Sequence, residues 1–353
     1  MTTPPDAPSP EFQLDFLQQL QRLLDEGSFV ATYKYALLHA IADLGVLHGQ
    51  DSGAELTLTT RQIAERFAEL YWQQGVPFPA GDRLEVLNQN TGRQAAVVNA
   101  VHETRAQYGG RLSAAKRTAE VWEPLVKRVE ETVCRMPLWR LQTVGQEQIE
   151  FLYANTGRGQ SITLRPGVAY CFRVFYPLIT DMVEGAWSHF IRRYNHQILG
   201  TTTDLRTFLF GADRTALSRL QPILHDVQQG TCLYCKAAFA SRAICVDHFV
   251  PWRRYPVDLG HNFVLAHDTC NSRKGDRLAA EVHLERWRDR NVEHGQELAE
   301  RFTAAGFQQD WPSSLRVTRW AYAQVERSRG QVWVEGSRLE ALSTGWEAVL
   351  PAA

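Results

Sequence analysis

Two short motifs constrain this chain more than anything else in it: Cys232-x2-Cys235 and, after 31 intervening residues, His267-x2-Cys270. A two-residue gap lets two ligands on one tight turn reach the same tetrahedral ion, and thiolate with imidazole suits zinc. All four positions are filled, so none stays open for water. That pattern predicts a structural ion, which stabilises a small module lacking a large core of its own. A chance C-x-x-C beside an unrelated His and Cys would require two matched half-sites within about 40 residues. A redox C-x-x-C does not fit, because no strand-then-helix surrounds it.

Between the half-sites lies "CVDHFVPWRR", residues 245 to 254, an acid and a histidine in an otherwise apolar run. Burying an uncompensated charge is costly, so Asp247 and His248 are either a satisfied structural pair or a chemical one. "AICVDHFVP" reads as a strand, "HNFVLAH" as a loop entering a second short element, and "DTCNSRKGD" as the start of a helix. The ordered set of Cys232-x2-Cys235, Asp247-His248, Pro251, Asn262, Cys270-Asn271 and Lys274 resembles the HNH endonuclease family, the zinc-framed ββα-metal nucleases. The resemblance covers about 45 residues, 13% of the 353. His267 stands where the family pattern has Cys, an equivalent ligand. A single Gly260 follows the longer loop "WRRYPVDLG", where the family often has a Gly pair.

The resemblance implies hydrolysis of DNA phosphodiester bonds, with RNA the less favoured substrate. It implies that Asp247 and Asn271 hold Mg²⁺ or Mn²⁺, for which oxygen ligands are suited. Histidine titrates near neutrality, and His248 is the candidate general base. Asn262 is expected to brace the loop and orient that histidine without binding metal. Neighbours on a strand point to opposite faces, so Asp247 and His248 need a bent or twisted hairpin to serve one site. Lys274, Arg273, Arg253 and Arg254 are candidate phosphate contacts, with Lys274 at a motif position. His261 reads as a loop residue, His225 and His283 as surface histidines, and Cys245 as a buried strand residue outside the zinc set. The alternative function is a catalytically inactive, zinc-stabilised nucleic-acid-binding or scaffold protein. A place in restriction or antiphage defence is suggested by architecture alone.

Charge supports a local nucleic-acid surface. The whole chain has a net charge of −1, residues 1–100 carry 6 Lys/Arg against 12 Asp/Glu, and residues 232–277 carry 7 Lys/Arg against 4 Asp. The acidic N-terminal part is therefore expected to contact protein or to regulate the nuclease instead of gripping DNA, and the helical regions are candidate sites for protein partners or a homodimer. The expected fold is α+β and predominantly α-helical. It comprises a disordered leader (1–12), a helical N-terminal domain (13–135), an α+β or helical middle region (136–229), the zinc-bound ββα-metal module (230–278) and C-terminal helices (279–353). No apolar run suits a membrane span and the Pro-rich start is no signal peptide. The six cysteines form no disulfide framework, Cys134 and Cys171 reading as buried thiols, which suits a reducing cytoplasm.

Overall fold

The computed structural model describes residues 7–80, 83–108, 110–156, 159–199, 204–211, 217–240 and 242–351. They form two compact units, which divide after Gly211. Helices predominate and every sheet has two strands, so the class is α+β. Among the described residues no helix is long and apolar enough to cross a membrane.

In the first unit, Ser9 accepts from the Phe12 amide at 3.3 Å and Pro10 opens the helix Pro10–Glu26. Helical structure thus starts inside the leader expected over 1–12, whose first six residues lie outside the described residues. The helix Tyr33–His48 is buried without a break from Tyr35 to Val46, as its nearly continuous apolar sequence requires. It packs against the helices Thr60–Gln74, Val168–Val174 and Tyr176–Tyr194. Thr59 and Gln62 form a capping box at the start of Thr60–Gln74. Pro177 accounts for the break between the next two helices, since its ring would clash with the carbonyl four residues back.

Two local readings are corrected. The alternating run 147–153 suggests one strand, but it is interrupted: Glu147–Gln148 pairs with Thr143–Val144, and Tyr153 makes an isolated bridge to Leu164. Beyond Gln148 the Gln142 carboxamide takes over the backbone, accepting from the Leu152 amide at 2.7 Å and donating to the Tyr153 carbonyl at 2.8 Å. A side chain holds one edge of Leu152 and Tyr153, while the Arg165 amide donates to the Leu152 carbonyl at 2.8 Å. The strand Leu56–Thr59, which pairs with Ser161–Leu164, went unread because four residues before a helix show too little alternation.

A charged network lies in this core. His39 Nδ1 contacts Asp43 at 3.1 Å and its Nε2 contacts Glu184 at 3.3 Å. Arg66 donates to Asp43 at 2.5 Å and Tyr176 donates to the same carboxylate at 2.5 Å. Arg206 donates to Glu184 at 2.9 Å. Burial disfavours the charged imidazole, yet attraction to Asp43 and then to Glu184 raises His39 to about 9. Burial likewise opposes ionised Asp43, but Arg66 and His39 bring it down to about 2. A raised histidine stabilises the fold fully below its unfolded value of 6.5 and loses that contribution as pH rises through about 9. We therefore expect the gap in melting temperature between wild type and His39→Leu to shrink from pH 6.5 to about 9. A gap that stays constant across that window would show that His39 is buried neutral.

The second unit is built around the hairpin of Ile244–His248 and Phe263–His267, followed by the helix Asp268–Lys274. The C-terminal region is expected to be helical, and it does contain the helices Glu281–Glu293, Gly295–Ala305 and Trp311–Arg327. It also contains a second hairpin, Gln331–Glu335 with Arg338–Ala341, turning through Gly336 at φ 53°. These later elements complete the core under the first hairpin. Trp287 stacks on Phe249 at 5.2 Å, and Trp333 meets Tyr234 edge-on at 5.3 Å. Arg290 donates to the carbonyls of Phe263 (2.6 Å) and His261 (2.9 Å), and burial lowers it to about 9.

Candidate metal centre and active site

The strand Phe263–His267 is buried at every residue. Gln228 extends its ladder from outside, donating to the Leu265 carbonyl and accepting from the Leu265 amide, both at 2.8 Å. The knuckle Cys232–Cys235 closes beside it. Leu233 donates to Leu265 at 3.1 Å, Lys236 to Cys232 at 3.0 Å, and Cys232 to Ala237 at 3.0 Å. His267 ends the strand and stands at the N-cap position of the following helix without a side-chain capping bond, so Cys270 returns on the same face one turn later.

The ligand atoms of Cys232, Cys235, His267 and Cys270 all lie within 4.8 Å of one another. Ligands about 2.3 Å from a tetrahedral zinc lie roughly 3.8 Å apart, so a small contraction closes this cage. His267 Nδ1 is already 3.3 Å from Cys235 Sγ. Burial, then the neighbouring Cys232 and Cys235 sulfurs, push the Cys270 thiol up to about 12, a cost that a dication removes. The four residues could hold a metal ion such as zinc. Cys245 is not among them. It contacts Asn271 Nδ2 at 3.3 Å, and burial raises its thiol to about 11.

Asp247 is buried and both of its hydrogen bonds fall on Oδ2, from the Tyr234 hydroxyl at 2.5 Å and from Lys274 Nζ at 2.9 Å. Its Oδ1 takes part in neither. Cys245 and Asp247 share a strand face by the pleat, and Asn271 and Lys274 reach that face from the helix. Asn271 donates its amide nitrogen to Cys245, and among the described residues its amide oxygen makes no hydrogen bond. A carboxylate and a carboxamide thus come from neighbouring elements, oxygen-bearing groups of the kind that suit a hard divalent cation.

His248 is the last residue of its strand and takes different partners. Its ring packs against Phe263 at 4.9 Å and Trp252 at 5.3 Å, and Nε2 meets Asp258 at 2.8 Å. Asn262 accepts from the Val250 amide (2.8 Å) and donates to the Val250 carbonyl (2.9 Å), tying the chain just after His248 to the start of the second strand.

The candidate phosphate contacts separate. Lys274 is corrected: its side chain is 0% exposed, and its ammonium is spent on Asp247 and on the His248 carbonyl at 3.0 Å. Arg273 is exposed on the helix end. Arg253 is exposed with only a loose 3.6 Å contact to Asp276. Arg254 is half-buried and donates to the Asp276 carbonyl at 3.3 Å. His225 is exposed. His283 is not a surface residue as expected; it is buried, stacked on Trp333 and bonded to the Val334 carbonyl at 2.6 Å. His261 is buried in a single turn of helix, Gly260–Asn262, its Nε2 3.2 Å from the Gly295 carbonyl. Sequence reasoning missed Tyr234 and Asp258. A hydroxyl inside the C-x-x-C knuckle and the sole acid of the long loop were the only signals.

A zinc-type cage carrying a ββα unit with Asp-His on its first strand and Asn on its helix defines the HNH class. Residues 232–277 match the HNH endonuclease family. The chain as a whole belongs to the family described as "Domain of unknown function (DUF8808)", which matches residues 13–208 and so most of its length. No curated protein and no solved structure matches the chain.

Proposed function

We infer that the chain is a metal-dependent endonuclease that hydrolyses DNA phosphodiester bonds at its HNH site. The observation that carries this reading is that Asp247 and Asn271, each with one side-chain oxygen that makes no hydrogen bond among the described residues, are brought by the first strand and the helix of a hairpin-helix unit whose strand ends in His248. Asp247 and Asn271 would hold Mg²⁺ or Mn²⁺, which neutralises charge growing on the phosphate oxygens. His248 takes the proton of the attacking water. Asn262 holds the backbone at Val250 and so the end of the strand that carries His248. Arg253 and Arg273 offer exposed cations to the DNA backbone.

A supercoiled plasmid incubated with the chain and Mg²⁺ or Mn²⁺ is expected to be nicked, and an RNA of matched length cut less. His248→Ala should lower the rate by about 10²- to 10⁴-fold with zinc content retained. Retention of wild-type cutting by that variant would remove His248 from the base role. One site cuts one strand, so double-strand breaks would call for a second copy of the chain.

The competing reading is a zinc-stabilised binder that does not cut. It draws on the Lys274–Asp247 ion pair, which compensates the buried carboxylate without any metal. DNA retention without cleavage under every divalent metal would favour it. A restriction or antiphage effector remains the role that best suits a nuclease module joined to a separate unit. Phage plating on cells expressing wild type or His248→Ala tests it.

A further inference from the structure

We propose that Asp258, from the loop between the two strands, is a positioning residue that sets the tautomer of His248 and thereby selects Nδ1 as the nitrogen that accepts the proton. The inference rests on the reading of His248 as general base. Asp258 lies 2.8 Å from His248 Nε2. An ionised carboxylate only accepts hydrogen bonds, so Nε2 must carry the hydrogen. A neutral imidazole then has its lone pair on Nδ1. Among the described residues Nδ1 makes no hydrogen bond, so it is left for a water. Phe263 and Trp252 pack against the ring and restrict its rotation.

The contact is not a chance meeting of two mobile surface side chains. His248 is 7% exposed, and the loop that brings Asp258 is anchored at both ends. Asn262 grips Val250 at its start. Tyr255 and Leu259 are buried along it, and the Gly260 amide donates to the Gln308 carbonyl at 2.9 Å at its end. Gly260 is held so closely that an added Cβ would meet Phe302 at 2.8 Å. The loop that lengthens this module thus supplies both Trp252 and Asp258 to one imidazole. A partner that orients a functional imidazole typically changes activity by about 10- to 100-fold when removed.

The test has two readouts on the full-length, zinc-loaded chain. In cleavage assays Asp258→Ala should lower kcat by about 10- to 100-fold while KM for DNA stays within about threefold. Asp258→Asn, whose amide oxygen can still accept from Nε2, should fall between Ala and wild type. In ¹⁵N spectra of histidine-labelled protein, with His248 assigned by its loss in His248→Ala, the neutral wild-type ring should show a protonated Nε2 and a bare Nδ1. Asp258→Ala should show mixed tautomers. Unchanged kcat in Asp258→Ala, faster cutting, or an unaltered tautomer would each overturn the proposal. The tautomer needs no cleavage to be read, so a wild-type chain that cuts nothing would defeat the nuclease reading while the spectra still decide what Asp258 does.

Discussion

Cys270→Ser is expected to lose its zinc, from about one equivalent per chain to near zero, and to unravel the segment 232–277 while the first unit stays folded. The helix Asp268–Lys274 has seven residues, far below the length at which a helix holds by itself in water. A metal ion held by His267 and Cys270 with the knuckle cysteines would anchor its first turn. Structural zinc sites contribute about 10–16 kcal/mol of apparent binding energy, so this term exceeds any other local contribution. Loss of the helix would remove Asn271 and Lys274 from Asp247 and, on the proposed function, abolish cutting. Hydrogen exchange should report fast amides across 263–274 in Cys270→Ser and slow ones in Cys245→Ser, which spares the cage. Protected amides in a zinc-free Cys270→Ser protein would show that packing alone holds the hairpin.

Lys274→Met is the second large effect, expected to cost about 3–5 kcal/mol of stability in the zinc-loaded chain, because breaking a buried pair strands a charge. Asp247 would keep the Tyr234 hydroxyl but lose its only cationic partner among the described residues. Methionine matches the volume, so packing loss is small and the electrostatic part dominates. Adding Asp247→Asn should recover much of the loss, because the stranded charge is gone. A urea-denaturation double-mutant cycle measures this. Strict additivity of the two substitutions would mean that the pair is not coupled. A lysine on a phosphate would behave otherwise, leaving stability alone and flattening the salt dependence of DNA binding.

The Lys274 result marks a boundary in what residue order can tell. Spacing alone exposed the zinc half-sites, because ligands on one turn need a two-residue gap whatever surrounds them. Ordered typed residues exposed the HNH blocks, and the helical character of the N-terminal and C-terminal regions was legible as well, with Tyr33–His48 and Trp311–Arg327 falling in them. Each of these is a local rule. The strands Glu147–Gln148 and Leu56–Thr59 were misjudged because their extent depends on Gln142 and on Ser161–Leu164, distant in sequence. The hairpin Gln331–Glu335 with Arg338–Ala341 went unread beside three strong helical patterns.

The same division runs through the site. The sequence by itself determined that a metal cage, an acid-histidine pair and two asparagines belong to one module, since their types and gaps suffice for that. It could not tell a lysine that meets DNA from one that neutralises a buried aspartate, because both look like a cation on a short helix. It could not reveal that Tyr234 reaches from the knuckle to Asp247, or that Asp258 reaches from the loop to His248. Those contacts form only once the hairpin closes and Trp287, Arg290 and Trp333 pack beneath it. Hydrogen bonds between side chains follow direction and distance in space, and neither is encoded in spacing along the chain.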